Sequence, residues 1–342
     1  MKSLFKFLRV LIGVYLYLVS SVAWAQNSAD FYSGKTVSIL VGSGPGGLTD
    51  TSARVIARFL EKYIPGQPTV IVQNMPGGGS VTMANHVFRS VARDGTVLGY
   101  PVPGMVTAEI LEPRRAKYEG RRLNWIGSAF RTTNTISVYN RADIQTWEDT
   151  KENQVFFGAS GRGSPLYQIP SLAKALLNLN FSIVTGYESG SAVVLAMERG
   201  EVDGQAIALD FWEAQRPQWL LNDSLTHLMR IGPPDPKRAP GVPHIAELVN
   251  SERQKALVEL VEIGFTLGWP LFAPPDVPIN RVEILRRAFS DLVEDPEFST
   301  TIEAALHVQL NPIIGAELAQ YVDQALSTPK PLVEELISIL GL

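Results

Sequence analysis

Four segments of the sequence repeat one pattern, in which a strand-like apolar run ends in a turn rich in glycine and serine and then enters a helix-like run. The apolar runs are 36–41, 69–74, 154–160 and 181–187, and the turns are 42–50, 76–80, 161–164 and 188–191. Repeated βα units of this kind predict parallel sheets covered by helices. Ligands of such sheets bind beyond the carboxyl ends of the strands. Any single βα turn needs glycine and serine whatever its function, but four of them together favour a binding cleft.

The first turn, "VGSGPGGLTD" at 41–50, has the G-x-G-x-x-G spacing of a dinucleotide-binding loop. Such a loop is normally followed, about 20 residues later, by an acidic residue that binds the ribose hydroxyls. No Asp or Glu lies between Lys62 and Arg93. Pro45, inside the loop, also lacks an N–H donor. The sequence therefore disfavours nucleotide binding.

The same turn retains the features that bind a small anion. Glycines let the backbone approach a ligand closely and adopt positive φ, and the following helix N-terminus offers unpaired N–H groups. We expect Gly47 to need a positive φ, and Thr49 or Asp50 to cap the helix. A carboxylate suits such a loop as well as a phosphate does.

The N-terminal segment predicts export. Three basic residues precede an apolar run at 10–19, and an A-x-A cleavage site occupies 23–25. An uncleaved membrane anchor is disfavoured, because the run is shorter than the ~20 residues that span a bilayer. We expect a signal peptide at 1–25 and a periplasmic mature chain.

Charge and cysteine content exclude several classes of protein. Cleavage after residue 25 removes three basic residues and no acidic one, so the net charge changes from −4 to −7. This disfavours nucleic acid as a partner. The absence of cysteine excludes disulfides, a thiolate nucleophile and cysteine metal sites. The length of the mature chain predicts two domains.

Catalytic motifs are not recognisable. The G-x-S-x-G motif of a serine hydrolase is missing from "GASGRGS" at 158–164. The clustered carboxylates read as solvated helix ends, not as a glycosidase pair. No two histidines are spaced at i, i+4, which disfavours a zinc site; they are His86, His227, His244 and His307. We therefore expect no enzyme, no cofactor and no metal.

A longer series of motifs carries a family resemblance. In chain order the motifs are "FYSGKTVSILVGSGPGGLTDTSARVIARFL", "GQPTVIVQNMPGGGS", "ARDGTVLGY", "LNWIGSA", "GASGRGS", "GYESGSAVVLAMERGEVD", "KRAPGVPHIAEL" and "FAPPDVP". In their order and spacing they resemble the extracytoplasmic solute receptors of tripartite tricarboxylate transporters, the Bug receptor family. The resemblance covers nearly the whole mature chain. It implies an α/β chain with the type 2 periplasmic-binding-protein fold, two α/β lobes and a ligand cleft between them.

The resemblance also implies a domain division and a set of ligand residues. Lobe 1 would comprise 26–127 and 232–342, and lobe 2 would comprise 128–231. Ligand loops would lie after the strands of both lobes, and Asp210 would follow the strand "GQAIAL". The candidate contacts are Ser43, Gly46, Gly47, Thr49, Asp50, Gly78, Gly79, Ser80, Ser160, Arg162, Gly163, Ser164, Tyr187, Ser189 and Asp210.

The sequence departs from the usual family pattern in the second lobe. Tyr167 stands where histidine is frequent, Gly186 where proline is usual, and Glu188 where lysine is common. An acidic Glu188 beside the cleft would disfavour a highly charged polyanion such as citrate. Arg162 would offset it by a bidentate carboxylate contact, unless it is a solvated loop residue. Trp212 either walls the cleft or belongs to the core.

We therefore predict a periplasmic receptor that captures a small organic acid by lobe closure. By resemblance it would be a monomer that delivers the acid to the membrane permease subunits of a tripartite transporter. One alternative is a sensor that docks on a membrane signalling partner, and a more remote one is a secreted hydrolase. The permease and sensor readings use the same cleft, so neighbouring genes and not residues would separate them.

Overall fold

The computed structural model describes residues 30–141, 143–162 and 164–342; the predicted signal peptide at 1–25 and the candidate contact Gly163 lie outside these ranges. The strands are β1 Thr36–Val41, β2 Thr69–Asn74, β3 Val97–Tyr100, β4 Asn124–Ser128, β5 Asn134–Tyr139, β6 Val155–Ala159, β7 Phe181–Thr185, β8 Gly204–Ala208, β9 Leu225–Ile231, β10 Pro270–Ala273 and β11 Ile313–Ile314.

The helices are α1 Leu48–Tyr63, α2 Val81–Ser90, α3 Met105–Leu111, α4 Asp149–Glu152, α5 Pro165–Leu177, α6 Gly190–Glu198, α7 Leu209–Gln215, α8 Pro217–Leu221, α9 Ile245–Leu248, α10 Glu252–Thr266, α11 Ile279–Val293, α12 Pro296–Leu306, α13 Gly315–Leu326 and α14 Lys330–Leu340. Short 3₁₀ turns cover Asp30–Tyr32 and Gly120–Arg122. None of the helices in the described ranges combines the length and the apolar character that crossing a bilayer requires.

The strands form two separate sheets, one for each lobe. The first lobe contains the order β11-β4-β10-β3-β1-β2 and the second lobe the order β7-β6-β8-β5-β9. The strands of the four predicted βα units pair in parallel, β1 with β2 and β6 with β7. β3 and β8 also run parallel to β1 and β6, respectively.

Both sheets also contain antiparallel strands, which the βα units did not predict. In the first lobe β10 runs antiparallel to β3 and β4, and in the second β5 runs antiparallel to β8 and β9. A crossover helix within one sheet forces the next strand to be parallel. Strands β5 and β10 are instead the first strands that the chain forms after arriving from the other lobe, so no such helix fixes their direction.

Helices α1, α11 and α12 pack on one face of the first sheet. The rings of Phe59 on α1 and Phe298 on α12 meet edge to face, with centroids 5.3 Å apart. Four apolar residues recur at a helical period in α11, and all four are buried: Val282, Leu285, Phe289 and Leu292. This spacing presents one apolar stripe to the sheet.

The core of the second lobe also receives helices from the C-terminal part of the chain. Leu336 and Leu340 on α14 and Val261 and Phe265 on α10 belong to the same buried cluster as the β5 and β6 side chains. Helix α14 thus lies against the second lobe although it follows the last strand of the first. The lobe boundaries at 128 and 231 stay a prediction. The first sheet contains β1 to β4, β10 and β11, and the second contains β5 to β9.

The segments that connect the lobes pack against each other through glycines. Gly232 has a φ of +105°, and a Cβ there would lie 3.0 Å from the Thr132 carbonyl oxygen. Gly268 has a φ of +62°, and a Cβ there would collide with the Phe130 carbonyl oxygen. Both positions therefore require glycine for conformation and for space.

Candidate ligand-binding cleft

A cavity of about 590 Å³ lies between the two lobes, and we call it the interlobe cavity. The first lobe contributes the glycine turn before α2 and the face of α3, and the second contributes the turn before α5 and the end of β8. The lining residues are Gly78, Gly79, Val102, Pro103, Gly104, Thr107, Ala108, Leu111, Glu112, Arg115, Thr132, Asn134, Ser160, Gly161, Ser164, Pro165, Leu166, Gln168, Ile207, Ala208, Val261, Gly264, Phe265 and Trp269. The volume is in the range that small-molecule sites occupy.

On the first-lobe side, the turn before α2 has an unusual backbone. Gly77, Gly78, Gly79 and Ser80 all have positive φ. Ser80 is fully buried, and its hydroxyl donates to the Gly42 carbonyl at 3.1 Å and accepts the Val102 N–H at 2.9 Å. Ser80 thus holds the ends of β1 and β3 together and presents the glycines to the cavity.

On the second-lobe side, α5 begins at the cavity. Ser164 is its N-cap and Pro165 its first residue, a position that favours proline because its missing N–H would be unpaired there anyway. The Ser164 hydroxyl donates to the Gly161 carbonyl at 2.8 Å instead of capping a helix N–H. The first N–H groups of a helix point at whatever lies before it, and the helix dipole favours an anion there.

Polar side chains in the cavity are mostly uncharged. Thr107 is 5% exposed, and its hydroxyl has no hydrogen-bond partner in the described part of the chain. Asn134 and Gln168 line the cavity with buried amide side chains. Glu112 and Arg115 are the charged lining residues among those described, and they form an ion pair.

The structure places some of the ligand contacts predicted from the sequence in the cavity lining and others outside it. Four of them line the interlobe cavity: Gly78, Gly79, Ser160 and Ser164. Ten described candidates lie outside its lining: Ser43, Gly46, Gly47, Thr49, Asp50, Ser80, Arg162, Tyr187, Ser189 and Asp210. Their contacts with a ligand stay predictions.

Expectations about the first glycine turn need two corrections. Gly47 is extended, with a φ of −89°, whereas Gly46 has the positive φ of +84°. The N-cap of α1 is Gly47, so Thr49 and Asp50 lie within the first turn of the helix. The G-x-G-x-x-G pattern cannot say which glycine carries the positive φ, because that depends on where the helix begins.

Asp50 is held entirely by protein groups. Its carboxylate accepts the Gly46 N–H at 2.9 Å, two bonds from Arg54 at 3.0 and 2.9 Å, and one from Asn74 at 2.8 Å. Burial by itself would raise the pKa of the Asp50 carboxyl, but these hydrogen bonds, led by that of Arg54, lower it from 3.8 to about 2. The side chain fastens the glycine turn to α1 and β2.

Asp50→Asn is therefore expected to destabilise the fold in a pH-dependent way. The folded pKa lies below the unfolded one, so the carboxylate stabilises the fold above about pH 4 and its contribution is lost as the pH falls toward 2. Arg54 is half exposed, so we expect a loss of about 1–2 kcal/mol at pH 7 and a smaller loss at pH 3. Urea unfolding at both pH values measures this. Asp323→Asn, which removes an exposed ion pair with Arg121, is the control and should cost below ~0.5 kcal/mol. Equal losses at the two pH values would contradict the assignment.

Arg162 and Ser189 both make hydrogen bonds within the protein. Arg162 donates to the carbonyl of Gly341, after the end of α14, and lies 6.0 Å from the centre of the Tyr167 ring. The Ser189 hydroxyl accepts the Ala192 N–H at 3.2 Å and so caps α6. Neither Arg162 nor the exposed Glu188 belongs to the cavity lining.

Asp210 is the second residue of α7 and is 1% exposed. Its carboxylate forms an ion pair with Arg238, which also bonds Asp235 at 2.6 Å. Burial raises the pKa of Asp210, and the Arg238 charge only partly opposes this.

Trp212 lies in a buried aromatic cluster with Trp219. This agrees with the alternative that Trp212 belongs to the core.

Sequence reasoning missed most of the apolar wall of the cavity. Val261 and Phe265 come from α10, and Trp269 follows that helix. The Trp269 indole donates to the Thr49 hydroxyl at 2.9 Å, so the first glycine turn is linked to the wall. One local signal was available: Gly264 lies inside a helix, and a Cβ there would be 3.1 Å from the Gly104 Cα. A glycine within a helical pattern often indicates such a close approach.

A buried serine and histidine are hydrogen-bonded in the second sheet, which bears on the hydrolase alternative. Ser137 Oγ and His227 Nδ1 are 2.8 Å apart. Ser137 is fully buried, and burial lowers the pKa of His227 to about 4. Neither residue lines the interlobe cavity. Within the described residues no group of three His, Cys, Asp or Glu side chains is arranged to hold a metal ion.

Comparison with known proteins gives relatives over most of the chain. No family model matches. A Pseudomonas sp. (strain P51) protein, described as the UPF0065 protein in the tcbD-tcbE intergenic region, is 24% identical over 90% of this chain and 87% of its own length. Protein BugT of Bordetella pertussis is 37% identical over 90 residues, which are 26% of this chain and 27% of BugT.

Solved structures share the fold. A TctC solute-binding protein from Polaromonas has a TM-score of 0.68 at 17% identity, covering 89% of this chain and 99% of that protein. The periplasmic binding protein BugD has a TM-score of 0.65 at 20% identity, covering 91% and 99%. MatC from Rhodopseudomonas palustris, with bound malate, has a TM-score of 0.63 at 21% identity, covering 90% and 99%.

The two mixed sheets, their covering helices and the cavity between the lobes define the chain as an α/β protein with the periplasmic-binding-protein fold, as predicted. The solved structures carry this conclusion about the fold alone. The sequence relatives, protein BugT among them, support the Bug receptor resemblance that the motifs carry.

Proposed function

We propose that this protein is a periplasmic receptor that binds a small carboxylate-bearing solute between its lobes and delivers it to a tripartite-type membrane permease. The observation that carries the proposal is the interlobe cavity, which is lined by βα turns from both lobes. In an α/β sheet these turns lie at the carboxyl ends of the strands, where ligands bind. MatC, a neighbour by fold, was solved with malate.

Binding would close the lobes around the solute. The glycine turn before α2 and the N-terminus of α5 belong to different lobes and both line the cavity, so closure would bring groups from both lobes to one carboxylate. Each helix N-terminus contributes ~0.3–1 kcal/mol to an exposed anion, and more once water is excluded. Closure also covers the apolar lining, which adds a hydrophobic contribution.

Delivery would follow from recognition of the closed form by the permease. The receptor performs no chemical step in this scheme, and the solute leaves unchanged. We propose a monomer exported with its signal peptide removed. The family resemblance and the predicted export segment at 1–25 support this part of the proposal.

A thermal-shift screen of organic acids tests the proposal. A ligand that binds only the folded chain stabilises it by RT ln(1+[L]/Kd), ~2.7 kcal/mol at a hundredfold excess. We expect some carboxylates to raise the melting temperature by several degrees, and NAD, ATP and zinc to leave it unchanged. Small-angle scattering with the best acid should show a smaller radius of gyration than without it. A shift with a nucleotide and with none of a broad set of carboxylates would contradict the proposal.

A further inference from the structure

The first lobe carries an exposed surface whose charge is opposite to that of the whole chain. The segment "EPRRAKYEGRR" at 112–122 contains five basic residues and two acidic ones, a formal charge of +3. The chain without its predicted signal peptide carries −7, so its residues outside this segment carry −10. Six exposed side chains, one from α2 and five from this segment, form what we call the basic surface: Arg89, Arg114, Arg115, Lys117, Arg121 and Arg122.

Helix α2 holds the backbone of this segment in place. Asn85 Nδ2 donates to the Arg115 carbonyl at 3.0 Å, and Asn85 Oδ1 accepts the Lys117 N–H at 2.6 Å. Arg89 Nε donates to the Lys117 carbonyl at 3.0 Å. The basic side chains therefore project from an ordered backbone, which reduces the entropy lost when a partner binds.

Half of the basic surface has no counterion in the described part of the chain. Three members are ion-paired to acidic neighbours: Arg115 to Glu112, Arg121 to Asp323 and Arg122 to Glu119. The other three form no ion pair within the described ranges: Arg89, Arg114 and Lys117. Glu109 lies partly buried behind the segment, where its carboxylate accepts the Gly120 N–H at 2.8 Å, and burial raises its pKa to about 7. At neutral pH it therefore cancels less than one full positive charge.

An acidic protein surface is the partner that this chemistry fits. Arg89 and Arg114 offer planar guanidinium groups, which bind carboxylates in bidentate pairs. A bilayer fits less well, because the rest of the chain carries −10 and an anionic membrane would repel it. Among the described residues, no large exposed apolar side chain belongs to α2 or to 112–122, so the basic surface has nothing to insert between lipids.

The basic surface also borders the solute site. Arg115 lines the interlobe cavity although its side chain is 55% exposed, whereas Arg89, Arg114 and Lys117 do not belong to the lining. A partner bound to the basic surface would lie beside the cavity without filling it. We infer that the basic surface docks on an acidic, periplasm-facing segment of the membrane permease. This inference rests on the proposed function, because it specifies how the receptor meets the permease of that proposal.

Receptor-dependent uptake tests the inference. Spheroplasts of the native bacterium, with the gene for this protein deleted, receive the mature receptor purified from the periplasm and loaded with the radiolabelled acid that performs best in the thermal-shift screen. Initial uptake is measured at rising receptor concentration. The triple variant Arg89→Gln, Arg114→Gln, Lys117→Gln should raise the half-saturating receptor concentration about fivefold or more, and Arg89→Glu, Arg114→Glu, Lys117→Glu should raise it further. Calorimetry should give both variants the wild-type affinity for the acid, since none of the three residues lines the cavity.

A matched control removes the same charge elsewhere. Lys174→Gln, Lys237→Gln, Arg287→Gln changes three exposed residues that form no ion pair within the described ranges, and it should leave the half-saturating concentration unchanged. Added salt should reduce the difference between the wild type and the first triple variant, because it screens exposed charges. A loss of local structure would not respond to salt in this way. Circular dichroism verifies that all variants fold.

The outcomes separate the inference from the proposed function. Wild-type half-saturating concentrations in both triple variants at 89, 114 and 117 overturn the inference and leave the proposed function intact. The absence of any receptor-dependent uptake contradicts the delivery step of the proposed function as well. Binding of the wild type, and not of the glutamine variant, to phosphatidylglycerol vesicles would assign the surface to the membrane and overturn the inference. A wild-type dimer that the glutamine variant does not form would overturn it in favour of a second copy of this chain.

Discussion

The Gly268→Ala substitution is expected to lower the free energy of unfolding by about 3 kcal/mol or more. Gly268 has a φ of +62°, which alone costs an L-residue about 1–2 kcal/mol. The added Cβ would also collide with the Phe130 carbonyl oxygen and lie 2.8 Å from the Ser128 hydroxyl. Backbone atoms cannot rotate away as a flexible side chain can, so the connecting segments must separate.

Gly241→Ala is the matched control for this prediction. Gly241 has a φ of +71°, but nothing lies within 4 Å of its added Cβ. It reports the conformational cost without the collision, and should cost about 1 kcal/mol. Chemical unfolding of both variants separates the two contributions. Equal losses would mean that the packing of the connecting segments adds nothing at position 268.

The Gly268→Ala substitution should also weaken solute binding in the fraction of the protein that remains folded. The ring of Phe130 lies 4.9 Å from that of Trp269, and Trp269 lines the interlobe cavity. Moving the 129–133 segment therefore moves one wall of the site. The connecting segments thus link stability of the fold to geometry of the cavity.

Arg238→Gln is expected to destabilise the second lobe by about 3 kcal/mol or more. Arg238 is 14% exposed and is the ionic partner of Asp210, which is 1% exposed. Removal of the guanidinium leaves the Asp210 carboxylate buried without a counterion. Burial already raises the pKa of Asp210 above its ordinary value, so protonation relieves the variant as the pH falls toward that ordinary value. Urea unfolding at pH 7 and at lower pH measures both effects.

A second variant distinguishes loss of the charge pair from loss of packing. Arg238→Gln combined with Asp210→Asn removes both charges, and we expect it to recover more than half of the lost stability. A double variant as unstable as Arg238→Gln alone would show that the arginine acts through packing and not through the charge of Asp210.

Local sequence chemistry predicts the βα units well. The turns before α1, α2, α5 and α6 each end a strand and begin a helix. Glycine permits the positive φ of a tight turn, and serine and proline favour the start of a helix. The family motifs add the two-lobed fold. The antiparallel placement of β5 and β10 depends instead on how the chain passes between lobes, which no local pattern records.

The side-chain roles in the candidate site are less accessible to sequence reasoning. Arg162 bonds the carbonyl of Gly341, which is 179 positions away, and Asp210 pairs with Arg238 across 28 positions. These partners become neighbours only after folding. Polar residues in a ligand-loop motif can therefore be hydrogen-bonded or ion-paired within the protein. Part of the cavity wall comes instead from apolar residues on α3 and α10, which no motif marks.

The central claim is that the solute occupies the interlobe cavity, and calorimetric titration of two variants tests it most directly. Ala108→Phe places a large ring on the face of α3 that lines the cavity. Ala304→Phe makes the same change on the exposed surface of α12, outside the lining. With the acid that stabilises the wild-type chain most, we predict that Ala108→Phe binds at least tenfold more weakly, a loss of ~1.4 kcal/mol or more, and that Ala304→Phe binds as the wild type does. An Ala108→Phe chain that is folded by circular dichroism and binds the acid with wild-type affinity would contradict the account.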